Sequence, residues 1–140
     1  MSSASGVNVQ DECLEAFQDL KLKKKYKYLL YKLDDENKSI ILEEAAEEST
    51  YDNFITVLTS KGPRYAVYDF DYEKPGEGQR NKIAFYSWTP DDSKIKEKML
   101  YASSKEAIRR RLVGVAIEIQ GTDLSEVSYE AVLEKASRSN

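Results

Sequence analysis

The segment Trp88–Gly114, WTPDDSKIKEKMLYASSKEAIRRRLVG, contains the clearest structural signals in this sequence. Thr89–Ser93 separates a strand-like segment from a helical one, and its Asp and Ser side chains can cap the free N–H groups of a helix start. Asp carboxylates also suit the positive end of a helix dipole. Gly114 follows the cations Arg109–Arg111 and stands where helices commonly end. We therefore predict one long helix between Pro90 and Gly114.

One side of this helix is mostly apolar when its residues are placed on a wheel at about 100° per residue. The members of this side are Leu100, Tyr101, Ser104, Ala107, Ile108 and Leu112. An apolar stripe must be covered by the rest of the protein, so these positions are predicted to lie in the core. Arg111 falls inside the same arc, and we expect its charged end to reach solvent along its aliphatic stem.

The opposite side of the helix is cationic but has apolar residues at its centre. The cations are Lys96, Lys98, Lys105, Arg109 and Arg110, and the apolar residues are Ile95, Met99 and Ala102. Apolar residues surrounded by cations are typical of a contact surface, with a water-excluding centre and a charged rim. An ordinary solvated helix face is the alternative, because a single exposed Met is common. Spacing alone does not decide between the two.

Length and composition limit the class of protein. At 140 residues the chain fits one domain, residues 1–140, that can bury a core without disulfides or metals. The net charge of -4 argues against a general nucleic-acid binder. With no His and the single cysteine Cys13, zinc-finger and Cys–His catalytic sites are excluded and a reducing compartment is expected. No apolar window approaches the length of a membrane span, so we expect a cytosolic protein.

The remaining periodicity predicts an α/β fold, with a central mixed sheet of about five strands and helices on both faces. Helices are predicted at 11–20, 50–58 and 128–135, and strands at 26–33, 39–43, 64–72, 81–88 and 113–120. The first four strands should form two hairpins, and the last should pair in parallel with a neighbour. Cys13 is expected in the core, whereas residues 1–6 are small and polar and are expected to be mobile.

Signals for catalysis are weak. The sequence contains no nucleophile elbow, phosphate loop or dinucleotide fingerprint. Asp69, Asp71 and Glu73 alternate along one strand and suit paired carboxylates or metal ligands, but a solvated strand face is the commoner explanation. The basic run Lys21–Lys27 fits a nuclear-import signal, a lipid-binding patch or a solvated strand entry, the last being the default. We predict a protein that is not an enzyme and needs no metal or cofactor.

Segments spread along nearly the whole chain carry a family resemblance. They are Ser5–Val7, Tyr65–Phe70, Arg80–Ile83, Trp88–Asp91, Lys98–Lys105, Gln120–Asp123 and Ser125–Tyr129. In these segments the chain resembles the ADF/cofilin family of actin-depolymerising proteins, and its fungal members most. The resemblance implies a single monomeric ADF-homology domain that binds actin monomers and filament sides, severs and depolymerises filaments, and promotes filament turnover.

The resemblance also implies two sets of contact residues. The monomer-and-filament set consists of Ser5, Gly6, Lys96, Lys98, Met99, Lys105, Arg109 and Arg110. The filament set, needed for filaments alone, consists of Arg80, Lys82, Glu134, Lys135 and Arg138. Most of the first set falls on the exposed arc of the helical wheel, which favours the contact surface over a merely solvated face.

Regulation is implied in the same way. The family binds phosphoinositide head groups in competition with actin, and the matching lipid set is Lys23, Lys24, Lys25, Lys105, Arg109 and Arg110. Ser5 matches a serine that is phosphorylated in animals. Lys23 stands where a glycine is more usual, and the loop Thr59–Arg64 also departs from the fungal pattern.

The implied location is the cytoplasm and the actin cytoskeleton. The nucleus is left open as a second location, although the basic insertion that serves nuclear import in animal members is missing and a strong nuclear prediction is unsupported. Two alternatives stay open. One is a phosphoinositide-binding adaptor that does not use actin, and the other is a relative that binds actin without severing it.

Overall fold

The computed structural model describes residues 6–138, which form one mixed sheet with helices on both faces. The elements are β1 (Asn8–Val9), α1 (Asp11–Lys23), β2 (Tyr28–Leu33), β3 (Ser39–Ala46), α2 (Tyr51–Thr59), β4 (Arg64–Lys74), β5 (Gly78–Trp88), α3 (Ile95–Arg109), β6 (Ile117–Gly121), a 3₁₀ turn (Leu124–Glu126) and α4 (Tyr129–Arg138). The prediction for residues 1–6 lies almost entirely outside the described residues.

The sheet has the strand order β1-β3-β2-β4-β5-β6. β2 pairs antiparallel with β3, and β4 pairs antiparallel with β5, so both predicted hairpins are confirmed. β6 runs parallel to β5, as expected for a strand that returns after a helix. The sheet has six strands because β1, which is only two residues long, pairs in parallel with β3. A strand of two residues is too short to show alternating apolar and polar residues, so the sequence did not predict it.

Two hydrophobic clusters, one on each face of the sheet, explain why β2 is apolar almost throughout. Leu29 and Tyr31 belong to the cluster under α1 and α3, whereas Tyr28 and Leu30 belong to the cluster under α2 and α4. Successive side chains of a strand point to opposite faces, so a strand covered on both faces needs apolar residues at consecutive positions. The predicted placement of helices on both faces is confirmed.

Cys13 is fully buried in the cluster under α1, which confirms its predicted core position. Its thiol donates to the backbone oxygen of Ile40 at 3.4 Å. Burial raises the pKa of Cys13 to about 12, and the charge of Glu12 adds to this rise. Cys13 therefore behaves as a small core residue. None of the helices within residues 6–138 combines the length and the apolar character needed to cross a membrane.

Both ends of α3 differ from the prediction. The helix ends at Arg109, so Arg111 is an exposed loop residue and lies outside the apolar arc. Gly114 has a φ of 113° and does not cap the helix. Instead, a Cβ atom there would lie 2.9 Å from Cδ of Lys21, so glycine leaves room for the Lys21 stem.

At the N-terminal end of α3, the N-cap residue is Lys94, whose side chain forms no capping hydrogen bond. The buried hydroxyl of Ser93 has no hydrogen-bond partner among residues 6–138, so the predicted Ser cap does not form.

The segment after α3 is longer than predicted. β6 begins at Ile117, whereas the sequence predicted a strand from Val113. The backbone must turn back toward the sheet between the two elements, and Gly114 provides the positive φ for that turn. Within β6, Ile117 and Ile119 are buried and Glu118 is exposed, which is the alternation of a strand with one covered face.

Candidate functional site

The side of α3 that faces solvent is the side that the helical wheel predicted. Ile95 is 75% exposed and Met99 is 66% exposed, while Tyr101 and Ile108 are buried against the sheet. Lys96 is exposed and Lys98 is partly exposed. Two large apolar side chains are therefore open to water among cations. Contact with a partner would remove these apolar side chains from water, which is energetically favourable.

Tyr101 holds α3 in this orientation. Its hydroxyl accepts a hydrogen bond from the backbone N–H of Leu33 at 3.0 Å, and its backbone oxygen accepts one from the hydroxyl of Tyr65. The rings of Tyr65 and Tyr101 also pack with centroids 5.2 Å apart. These contacts join the helix to β2 and β4, so they determine which side of α3 can be exposed.

Glu118 on β6 belongs to this site, although it was not among the residues predicted from the sequence. Its carboxylate lies 2.5 Å from Nε of Arg109 and 4.0 Å from Nζ of Lys105. Because Ile117 and Ile119 point to the α4 face of the sheet, Glu118 points to the α3 face. The alternation in β6 was a usable signal for its direction. The pairing with Arg109 depends on tertiary packing and could not be read from the sequence.

A groove of about 450 Å³ separates α3 from the end of β6 and the loop that follows it. Lys98 and Lys105 line one side, and Thr122 and Glu126 line the other. The loop is held by a capping box in which Glu126 accepts from the backbone N–H of Asp123 at 3.3 Å. Glu126 also accepts from the backbone N–H of Thr122 at 2.7 Å. These hydrogen bonds lower the pKa of Glu126. The site is therefore cationic along α3 and acidic along its far edge.

The filament set is brought together by the hairpin β4–β5 and the end of α4. Nζ of Lys82 donates to the backbone oxygen of Ala136 at 2.9 Å, which places the hairpin directly beside α4. Arg80 is exposed and contacts Glu77 at 3.0 Å. The remaining members, Glu134, Lys135 and Arg138, are exposed on α4.

The two sets adjoin across β6. The carboxylate of Glu118 contacts Arg109 on α3, while its backbone oxygen accepts from Nζ of Lys135 on α4 at 3.2 Å. A surface depression of about 370 Å³ follows this junction and is lined by Lys135 and Arg138. Residues predicted for the two sets thus form neighbouring parts of one surface.

The lipid set is divided into two groups by its acidic partners. Lys23 pairs with Asp19 at 3.6 Å, and Lys24 pairs with Asp69 on β4 at 3.4 Å. Lys25 lies over the ring of Tyr26, 5.3 Å from its centroid.

The second group of the lipid set lies on α3. Lys105 and Arg109 pair with Glu118 of β6, and Arg110 is exposed at the end of the helix.

The sequence pattern favoured a solvated strand face for Asp69, and this prediction was wrong. Asp69 is only 7% exposed and accepts hydrogen bonds from Asn81 and Lys24. Asp71 pairs with Lys27 at 2.7 Å. The two carboxylates therefore bind lysines that follow the C-terminal end of α1. Within residues 6–138 no cluster of three or more acidic, Cys or His side chains is arranged to hold a metal ion.

The N-terminal members of the monomer-and-filament set lie at the boundary of the described chain. Ser5 lies outside the described residues. Gly6 is exposed and has a φ of 77°, and Val7, which follows it, is buried in the cluster under α1 and α3. The chain therefore enters the fold on the same face of the sheet as α3.

Known proteins resemble this chain in sequence and fold over nearly their full length. Residues 6–137 match the family described as cofilin/tropomyosin-type actin-binding protein. A cofilin of Mycosarcoma maydis is 56% identical over 136 residues, covering 97% of this chain and 98% of that protein. A cofilin of Saccharomyces cerevisiae is 52% identical over 137 residues, covering 97% of this chain and 96% of that protein.

Solved structures give the same relationship. The crystal structure of Streptomyces griseoflavus cofilin has a TM-score of 0.89 at 51% identity and covers 96% of this chain and 100% of that chain. The crystal structure of Plasmodium berghei actin depolymerization factor 2 has a TM-score of 0.77 at 32% identity, covering 99% of this chain and 96% of that chain.

Proposed function

Because the chain belongs to the cofilin/ADF family of actin-binding proteins, we propose that it binds actin monomers and the sides of filaments, and that it severs and depolymerises those filaments. The exposed side of α3 is the docking surface for both forms of actin, with Lys96, Lys98, Met99, Lys105, Arg109 and Arg110 as its contact residues. Ser5 and Gly6 complete this surface. The protein acts by binding and not as an enzyme.

The exposure of Met99 is the observation that carries the proposal. This side chain is 66% exposed in the first half of α3, although the same helix buries Tyr101 and Ile108. Burying a Met side chain fully is worth about 1.5–3 kcal/mol, so a partner with an apolar cleft gains affinity by covering it. Flanking cations contribute more to encounter rate and orientation than to affinity when the partner's rim is acidic.

Filament severing follows from a second contact surface. Arg80 and Lys82 on the hairpin, with Glu134, Lys135 and Arg138 on α4, are proposed to touch a neighbouring subunit that only a filament provides. A ligand that binds one filament geometry more tightly shifts the filament toward that geometry. Boundaries between decorated and bare segments would then be mechanically mismatched, and filaments would break there.

The first experiment tests the docking surface. The double variant Lys105→Ala, Arg109→Ala should fail to co-sediment with actin filaments and fail to bind monomers, while its circular dichroism stays native. A matched control, Lys23→Ala with Lys25→Ala, removes the same charge from the exposed end of α1 and should bind actin normally. Normal actin binding by the first variant would contradict the proposed surface.

A second experiment separates the two surfaces. The double variant Arg80→Ala, Lys82→Ala should retain monomer binding and lose binding to filament sides, and single-filament imaging should show no severing. If it severs filaments as the unchanged protein does, the proposed filament surface is wrong. Binding without severing in the unchanged protein would instead favour the non-severing relative.

Inhibition by phosphoinositides is the second candidate function. Lys105 and Arg109 belong to both the lipid set and the monomer-and-filament set, so a head group and actin would compete for them. Vesicles containing phosphatidylinositol bisphosphate should therefore displace the protein from actin. Absence of displacement would remove this role, and lipid binding without any actin binding would favour the adaptor. A phosphate on Ser5 would oppose actin binding by adding negative charge at the docking surface.

A further inference from the structure

The last turn of α4 is held to the sheet by two hydrogen bonds that converge on one carbonyl. The final four carbonyls of a helix have no donor within the helix and need other partners. The backbone oxygen of Ala136 accepts from Nζ of Lys82 at 2.9 Å and from the hydroxyl of Tyr72 at 3.3 Å. Tyr72 lies on β4 and Lys82 on β5, so the hairpin supplies both donors.

The burial of Tyr72 and Ala136 indicates that these hydrogen bonds stabilise the fold and do not bind a partner. Tyr72 is 4% exposed and Ala136 is 1% exposed, so neither can be reached by a large partner. A buried hydroxyl that lost its acceptor would carry a desolvation cost. On the other side of the same turn, Nζ of Lys135 donates to the backbone oxygen of Glu118 at 3.2 Å. The end of α4 is thus attached to β4, β5 and β6.

This turn carries the α4 members of the filament set. We propose that Tyr72 is a positioning residue for filament binding, and that Lys82 acts mainly in the same way, by holding Ala136 so that Glu134, Lys135 and Arg138 face the filament. The inference rests on the proposed function. It separates Arg80, an exposed contact residue, from Lys82, a half-buried one whose ammonium group is directed at the chain's own backbone.

A loss of attachment would weaken filament binding through the fraction of molecules that are competent to bind. Helix ends open more readily than helix centres, and an apparent dissociation constant rises as the competent fraction falls. Removing one hydrogen bond changes such an opening equilibrium by roughly two- to tenfold. Monomer binding, which uses α3, should not depend on this equilibrium.

The test is the variant Tyr72→Phe, which removes only the hydroxyl. Amide hydrogen exchange in the last turn of α4 should become roughly two- to tenfold faster, and filament affinity should fall by up to the same factor. Monomer affinity should be unchanged. Tyr28→Phe is the matched control, because the hydroxyl of this buried tyrosine donates to Glu44 on β3 at 2.9 Å instead of to a carbonyl of α4.

A second pair of variants separates positioning from direct contact. Lys82→Met keeps the aliphatic stem and should speed exchange in α4 as Tyr72→Phe does, whereas Arg80→Ala should weaken filament binding without changing exchange. The inference is overturned if Tyr72→Phe leaves exchange or filament affinity unchanged, or if Tyr28→Phe has the same effects. The proposed function fails separately, if Arg80→Ala combined with Arg138→Ala binds filaments normally.

Discussion

Arg109 Nε lies 2.5 Å from a carboxylate oxygen of Glu118, which joins the cationic side of α3 to β6. The two side chains are 27% and 43% exposed, so the pair is expected to stabilise the fold by less than about 1 kcal/mol. The main effect of the pair is on the orientation of the Arg109 side chain. A guanidinium group has several N–H donors, so one bond through Nε orients Arg109 and leaves others directed outward.

Glu118→Gln tests how this pair tunes the surface. The amide oxygen can still accept from Arg109, but the negative charge beside Lys105 and Arg109 is lost. We expect binding to phosphatidylinositol bisphosphate vesicles to tighten by roughly two- to fivefold at low salt, measured by flotation. The gain should shrink as salt rises, because exposed charges are screened.

The control for this variant is Glu48→Gln, which removes the same charge from an exposed position away from β6. It should leave vesicle binding nearly unchanged. Weaker vesicle binding by Glu118→Gln would show that orientation of Arg109 outweighs its neutralisation by Glu118.

Met99→Ala tests the apolar centre of the α3 surface. Actin affinity should fall by about tenfold, the effect of truncating a buried contact residue. The free energy of unfolding should change by less than about 0.5 kcal/mol, because Met99 is 66% exposed in the fold. Leu22→Ala is the control, since Leu22 is 71% exposed on α1. Equal losses of actin affinity in both variants would contradict a specific role for Met99.

Tyr101→Phe tests the attachment of α3. The variant removes the acceptor of the buried Leu33 N–H and should lower the free energy of unfolding in urea by about 1–3 kcal/mol. Tyr129→Phe, at a side chain that is 37% exposed, should change it far less. A Tyr101→Phe variant as stable as the unchanged protein would mean that water replaces the hydroxyl.

Alkaline unfolding should follow from the buried tyrosines. Burial raises the pKa of Tyr28 to about 12. Burial also raises the pKa values of Tyr31 and Tyr86 well above the ordinary value of tyrosine. Tyrosines in the unfolded chain ionise near pH 10. Because the folded pKa is the higher one, this contribution to stability is complete below about pH 10 and is lost as pH rises above it.

The expected decline is up to about 1.4 kcal/mol per pH unit for each such tyrosine. Circular dichroism and tyrosinate absorbance, followed together from pH 9 to 13, should show these residues ionising only as the fold is lost. Ionisation of all ten tyrosines below pH 11 with native circular dichroism would contradict the assigned burial.

The division of α3 into a covered and an exposed side was predictable, whereas its ends were not. A helical period determines which residues share a side, and apolar residues must be covered wherever the helix packs. Capping signals are weaker and can be overridden by packing. Ser93 has the right chemistry for a cap, but its buried hydroxyl has no hydrogen-bond partner among the described residues. Gly114 accommodates Lys21 from a distant helix.

Local sequence patterns were sufficient to predict the hairpins, the parallel last strand, the solvent-facing side of α3 and the family. These features depend on residues a few positions apart or on motif order. Three contacts became apparent only in the folded chain: Glu118 pairs with Arg109, Asp69 is buried beside Lys24, and Tyr72 and Lys82 donate to Ala136. The physical reason is that such contacts join distant segments, so they depend on strand order and register, which no local period contains.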